Sequence, residues 1–418
     1  MTVNRARAAA SFSQILAISV LNVSAIYAIR PMVSYRALQL GAGPVEIGLI
    51  ASSYALLSLL TAVLVGRWVD RFGAAPFLMA GATLCALCAM GAIFIDSIVA
   101  LALGQALLGL GQIMNLVAAQ TTIANGTARA QRDERFGWYG VAASGGQLIG
   151  PGVAGLIAGQ SVAAATGGAF DPKPVFIFAT ALAAGAAILG AYLWYRAPSG
   201  AGIAPAGGSG GHLSAARDVL GKPSMKQAML ASVAVILTND MLVAYLPVFG
   251  EEGGLPVELI GLLLALRAGG SMVSRLFMGW MIHTLGRGKV LMGSMLVAGV
   301  AMVALPFLHE PLILVFLMLV LGVGLGLGQP MTIAWVANRA SRDQRGTALA
   351  VRLTGNRLAQ LVVPSLMGAL AGATTVAAIF WVLAGGLLAG AGMVSRTPLD
   401  DPAPAPQPPP DEIAGAVE

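Results

Sequence analysis

Residues 66–73 read GRWVDRFG, and residues 279–286 read GWMIHTLG. Gly66, Asp70 and Gly73 of the first stretch stand 213 positions before Gly279, His283 and Gly286 of the second (279 − 66, 283 − 70, 286 − 73). The same offset carries Gly48 to Gly261, Gln147 to Gln360, Pro151 to Pro364, Gly155 to Gly368 and Gly159 to Gly372. One register held over so many positions is an internal duplication. Each stretch joins two apolar runs, and Gly66 and Gly73 fit a tight turn between helices with a short connection.

The rest of the chain fits this frame. Of 418 residues, 57% are apolar and 10% charged, against about 45–50% and about 25% in soluble domains. Mean hydropathy is +0.82. These values exclude a water-soluble enzyme and a disordered chain, and two cysteines, Cys85 and Cys88, make no disulfide framework. A bilayer core takes roughly 20 apolar residues per helix, and only helices or closed barrels satisfy the backbone in lipid. The apolar runs are long and continuous, so helices are expected over roughly 11–35, 45–68, 76–95, 98–124, 136–162, 172–195, 227–249, 257–283, 289–308, 311–338, 346–371 and 374–395. Arg5 and Arg7 precede an apolar run that continues to about Ile29, too long for a signal-peptide core, which predicts an uncleaved first span.

An even number of spans puts both termini on one side. With that side inside, 17 lysines and arginines fall in inner segments, two (Arg36 and Lys173) fall outside, and five of the 24 lie within spans. Positive residues stay cytoplasmic, so both termini are expected in the cytoplasm and the chain in the cell inner membrane. The predicted fold class is an all-α membrane protein: twelve transmembrane helices in two pseudo-symmetric six-helix bundles, residues 1–196 and 227–395. A Gly-, Ser- and Ala-rich cytoplasmic linker covers 197–226, and a Pro-rich, disordered tail covers 396–418. Parallel repeats of this kind imply a carrier that rocks one half against the other about a central cavity.

The loop GRWVDRFGAAP resembles the signature between spans 2 and 3 of the major facilitator superfamily, with Gly66, Asp70, Arg71 and Gly73 matching and Ala74 and Ala75 departing from its basic positions. In the second copy Gly286, Arg287 and Lys289 restore the basic end, but His283 replaces the acid. Gly146, Gly150, Pro151 and Gly155 of span 5 resemble the motif of that family's drug:proton antiporters, although Ala154 stands where glycine is usual. The span 4 arginine of that branch is replaced by Gln105, which weakens proton coupling by that route. The resemblance covers residues 10–395. It implies a gate in which Asp70 lies near the start of span 11, by Arg345 and Gly346, in one conformation only. With no fixed anion at His283, the second gate is expected to be weaker.

Physical reasoning adds candidates of its own. A charged side chain mid-membrane costs about 2.5–3.5 kcal/mol on insertion scales, so it faces a cavity or a partner. Arg30, Arg267, Arg275, Arg352 and Arg357 are such residues, and Asp240 is the one carboxylate deep within a span. Arg275 is close enough to its span end to snorkel. Arg352, Asn356 and Gln360 recur at i, i+4 and i+8, which puts them on one helix face. Gln105, Gln112 and Asn115 of span 4, Gln147 of span 5 and Gln329 of span 10 are further polar residues within spans. Cavity lining is expected for the span 11 stripe, with interhelical hydrogen bonding as the alternative. Burial and a nearby arginine pull a carboxylate's proton affinity in opposite directions, so Asp240 is the candidate proton site. Arg267 is its expected partner, either as a competitor of the proton or as a permanent ion pair.

Other signals carry little. GVGLGLG at 322–328 lacks the strand that a dinucleotide loop needs. Cys85 and Cys88 lie on an apolar helix, and His212, His283 and His309 are far apart, so no metal and no cofactor are expected. No Walker pattern is present, which excludes an ATP-driven pump encoded in this chain. The expected function is not an enzyme's but that of a monomeric secondary transporter of a small organic molecule, proton-coupled and exporting, with lipid but no nucleic acid as a partner. The alternatives are an uptake carrier or exchanger for an organic anion, which the arginine excess supports, and a membrane receptor, which the compact loops disfavour.

Overall fold

The computed structural model describes residues 2–127, 132–164, 170–196, 218, 220–222, 224–340 and 345–397. The expected linker over 197–226 lies mostly, and the tail over 396–418 almost entirely, outside the described residues. The described residues form twelve long helices: α1 Thr2–Gln39, α2 Pro44–Phe72, α3 Ala75–Ala92, α4 Ile98–Gly126, α5 Arg132–Ala164, α6 Lys173–Arg196, α7 Met225–Glu252, α8 Val257–Leu285, α9 Arg287–Ala304, α10 Pro311–Arg339, α11 Arg345–Ala373 and α12 Val376–Ser395. A helix stands at every expected span with ends within four residues, except that α1 begins nine residues early.

Local sequence sets the ends. Pro44, Pro76 and Pro311 stand in first turns, where a missing N–H costs nothing. Gly73 and Gly286 end α2 and α8 at φ +85° and +83°, a conformation that any Cβ would strain. The expected tight turn is therefore present in both copies. Gly66 and Gly279, by contrast, have open space around them and are not required for the turn. Eleven helices are long and apolar enough to cross a bilayer; among the described residues α11 is the long helix that is not. It carries Arg352, Asn356, Arg357 and Gln360, all buried against other helices. Its polarity is tolerated because protein, not lipid, faces it.

The duplication is preserved as geometry. Ser58 Oγ of α2 donates to Gly109 O of α4 at 2.8 Å, and Ser271 Oγ of α8 donates to Gly322 O of α10 at 2.9 Å, both partners displaced by 213. A Cβ on Gly109 would meet Tyr54 O, and one on Gly322 would meet Arg267 O, again related by 213. The glycines of GVGLGLG are thus close-packing positions between helices. In the first half α1 packs on α5 and α6, α2 on α4, and α3 on α4 and α6. In the second half α8 packs on α10, α9 on α10 and α12, and α7 on α10, α11 and α12. The halves meet through α2 on α11, α5 on α8 and, less extensively, α1 on α7.

These seams are tight at one end. Arg36 donates to Ile95 O at 3.2 Å and Gln39 to Phe170 O at 2.7 Å, which gathers the loops after α1, α3 and α5 at that end. There a Cβ on Gly48 of α2 would lie 2.4 Å from Pro364 O and 3.1 Å from Gly368 Cα of α11. Its counterpart, a Cβ on Gly261 of α8, would lie 2.6 Å from both Pro151 O and Gly155 Cα of α5. Ser52 and Ser365 hydroxyls meet at 2.7 Å, and Tyr245 donates to Pro44 O at 2.9 Å. Toward the opposite end Leu64, Asp70 and His283 are exposed. In a background with Cys85 and Cys88 changed to Ser, a Ser52→Cys/Ser365→Cys pair should form a disulfide readily. Adding Gly48→Val should cut the crosslinking yield several-fold on a gel-shift assay. An undiminished yield would show that backbone contact does not set the seam.

Candidate functional site

Arg30 of α1 is buried beside Pro31, and its Nη1 lies 2.8 Å from Oδ1 of the buried Asp240 on α7. The pair crosses from the first half of the chain to the second. The guanidinium carbon of Arg30 stands 4.3 Å from the ring centre of Tyr54 on α2 and 6.0 Å from that of Tyr27 on its own helix. Desolvated cation–π contacts of this kind contribute up to about 2 kcal/mol. Gln360 of α11 donates its amide to the other carboxylate oxygen of Asp240, and accepts at its own Oε1 from Arg357 Nη1 at 3.2 Å. Tyr54 donates its hydroxyl to Gln112 Oε1 of α4. One polar chain thus runs from Gln112 through Tyr54, Arg30, Asp240 and Gln360 to Arg357, joining five helices.

Two further clusters belong to the second half alone. Arg267 of α8, 1% exposed, donates to Asn239 of α7. Arg352 Nη2 of α11 donates to Gln329 Oε1 at 2.7 Å and to Thr332 Oγ1 at 3.2 Å, both on α10. Asn356 and Ser232 bond through their side chains at 3.0 and 3.1 Å, and Gln329 reaches Ser232 O at 3.3 Å. The stripe Arg352, Asn356, Gln360 therefore faces α7 and α10 as one polar wall. Among the described residues no carboxylate pairs with Arg267, Arg275, Arg352 or Arg357, and Nε of Arg267, Arg352 and Arg357 has no partner. A buried, uncompensated ion costs several kcal/mol even after relaxation, so this imbalance demands an explanation.

Several expectations need correction. The partner of Asp240 is Arg30, not Arg267, because Asn239 turns the Arg267 guanidinium aside. Arg275 does not snorkel; it donates to Gly326 O of α10 at 3.0 Å and also to Ser144 of α5, which ties the two halves below the tight seam. Asn115 does not face the cluster: it donates to Gly111 O of its own helix and fills the space over Gly81 of α3. Gln105 is buried without a partner for Oε1. Gln147 is half-buried and makes no hydrogen bond among the described residues. Asp70 is exposed and forms no ion pair among the described residues; of its expected neighbours Arg345 and Gly346, the side chain of Arg345 lies outside them. Arg71 stacks on Phe72. Gly146 and Gly150 press on Val20, Val23 and Ser24 of α1, whereas Gly155 presses on α8. The span 5 motif is thus a strip of close helix approach on two sides.

Sequence reasoning did not reach Tyr54 and Tyr27 as partners of Arg30. The duplication held the signal: Tyr54 stands 213 before Arg267, and Tyr27 stands 213 before Asp240. Ser232 and Thr332 had no such marker. No group of three or more His, Cys, Asp or Glu able to hold a metal occurs among the described residues.

The profile of the "Major Facilitator Superfamily" matches residues 15–266 and 228–416. The chain belongs to the major facilitator superfamily. It is a multi-pass membrane transporter and not an enzyme. Multidrug resistance protein 2 of Bacillus subtilis (strain 168) is 27% identical over 146 residues, 35% of this chain and 34% of that protein. The class E tetracycline resistance protein of Escherichia coli is 38% identical over 117 residues, 27% of each. The chain thus matches about a third or less of the length of these curated relatives. Among solved structures, the nucleoside transporter NupG superposes with a TM-score of 0.74 at 15% identity, covering 93% of this chain and all of that one. A bacterial homologue of the human lysosomal transporter Spinster, solved inward-facing and occupied, gives 0.72 at 16% identity, covering 96% and 99%. Both show the superfamily fold.

The ion pair of this superfamily member has a direct energetic test. Arg30→Ala leaves Asp240 buried without its cation and should destabilise the purified protein by about 3–5 kcal/mol. Arg30→Met with Asp240→Leu should recover most of that loss in thermal unfolding. Equal stability of Arg30→Ala and wild type would remove the pair from the fold's energetics.

Proposed function

We propose that the chain is a proton-coupled secondary transporter that exports a small organic molecule across the inner membrane by alternating access between two six-helix bundles, residues 1–196 and 227–395. The observation that carries this reading is the Arg30–Asp240 pair, which bridges α1 and α7 at mid-membrane under the seams at Gly48 and Gly261. The 17-to-2 split of basic residues supports cytoplasmic termini and linker. On that topology we read the tight end as extracellular and this conformation as inward-open. The names of the multidrug and tetracycline resistance relatives and the glycine strip of α5 support export. The arrangement needs no cofactor and one copy of the chain.

Asp240 carries the coupling in this reading. Ionised, it holds Arg30 across the bundle boundary and accepts the Gln360 amide, so the extracellular seam stays shut. A proton on Asp240 removes the charge that Arg30 opposes and takes one oxygen out of the acceptor set. The two halves then lose their mid-membrane tie, so the protonated carrier can pass between its two states. The proton is taken up from the extracellular side while the seam is open, is carried inward as the seam closes, and leaves to the cytoplasm, which restores the pair. In proteoliposomes, Asp240→Asn should abolish tetracycline transport driven by a pH gradient but keep counterflow without one. Gradient-driven transport surviving in that variant would exclude Asp240 as the coupling group.

Asp70 serves the other state. Its exposure here fits an open cytoplasmic gate. Asp70→Asn removes a contact made only in the outward-open state, and a change confined to one state shifts the population away from it. The Ser52→Cys/Ser365→Cys crosslink, which reports the closed extracellular seam, should therefore rise in yield. No change in yield would count against a gating role.

A further inference from the structure

Among the described residues no anion meets the buried guanidinium of Arg352. It lies eight residues from Gln360 on α11, about 12 Å along the helix and thus a separate place from the Arg30–Asp240 pair. Both oxygens bonded to its Nη2, from Gln329 and Thr332, are neutral, and its Nε has no partner. Asn356 and Ser232 stand on the same polar wall and satisfy each other. They need nothing from Arg352, which keeps its unused donors for another acceptor. Arg267 and Arg357, also with unpartnered Nε atoms, share the second half. Its one deep carboxylate, Asp240, is taken by Arg30 of the first half. A guanidinium kept only to tie α10 to α11 would gain most from a carboxylate, and none is supplied.

We propose that Arg352, with Asn356 and Ser232 beside it, receives the anionic group of the transported molecule, so that the substrate class is small organic anions. This rests on the transporter reading above and adds the substrate's charge. The planar fork of an arginine matches a carboxylate in a bidentate fashion, which a lysine does not reproduce. Under the topology proposed above, Arg352 lies toward the cytoplasmic end of α11, which begins at Arg345, and the ligand enters from that side.

The test is equilibrium binding to the purified full-length chain without a pH gradient, so it stands or falls separately from proton coupling. Thermal unfolding is followed with benzoate, succinate and inorganic phosphate, and with neutral benzamide and cationic benzylammonium, at fixed ionic strength. Benzoate or succinate should raise the unfolding midpoint saturably while benzamide and benzylammonium leave it unchanged. Phosphate alone raising the midpoint would mark an inorganic anion site and overturn the organic assignment. Arg352→Gln should abolish the organic-anion shift. Arg352→Lys, which keeps the charge and guards against failure of the first variant to fold, should raise the half-saturating concentration about tenfold. Stabilisation by none of the anions, equal stabilisation by benzamide, or an undiminished shift in either variant would overturn the proposal. A purely structural Arg352 would alter stability without altering discrimination between benzoate and benzamide.

Discussion

The Arg30–Asp240 ion pair is the contact on which the rest of this arrangement depends. It is the one place among the described residues where a buried charge in the membrane region meets its opposite. It takes one member from each half of the chain. In a low-dielectric interior removing either charge leaves the other uncompensated at a cost of several kcal/mol, so the position of α1 against α7 is set by electrostatics as well as by packing. Tyr54 and Gln360 extend that constraint to α2 and α11, the helices that form one of the two seams.

The seams themselves are a matter of shape. Lipid offers no hydrophobic force between helices, so close approach depends on small residues and backbone contact. Gly48 of α2 against α11 and Gly261 of α8 against α5 do this at pseudo-symmetric positions, each against a proline carbonyl and a glycine. Small side chains let two halves part without leaving cavities. Arg275 breaks the symmetry: it ties α8 to α5, while Ala62, its counterpart 213 residues earlier, offers α11 no equivalent bond.

The second half also differs from the first in charge. Arg267, Arg352 and Arg357 bond only neutral oxygens. Tyr54, where the second copy has Arg267, brings a ring and a hydroxyl instead of a charge. One copy of the duplication therefore supplies the aromatic cradle for Arg30, and the other supplies the carboxylate and the positive wall. Divergence at matched positions made a polar site from two repeats of one packing plan.

The sequence by itself determined the number of helices, their ends to within a turn at nearly every boundary, the duplication and the family. Each of these follows from local rules: an apolar run in lipid must close its own backbone hydrogen bonds, and glycine at positive φ ends a helix wherever it occurs. The face of α11 was legible for the same reason, because i, i+4 spacing places side chains without reference to any neighbour. Partners were a different matter. Asp240 had several arginines within plausible reach, and only the tertiary structure decided for Arg30. Helix order in the chain says nothing about which helices cross at mid-membrane. The neighbour of Asp240 in sequence, Asn239, captures Arg267 and leaves the carboxylate to another helix. Arg275 read as a snorkelling residue until the approach of α5 and α10 gave it oxygens within the bundle. Contacts between elements far apart in sequence depend on rotation and depth of whole helices, and those are set by the sum of all packing at once.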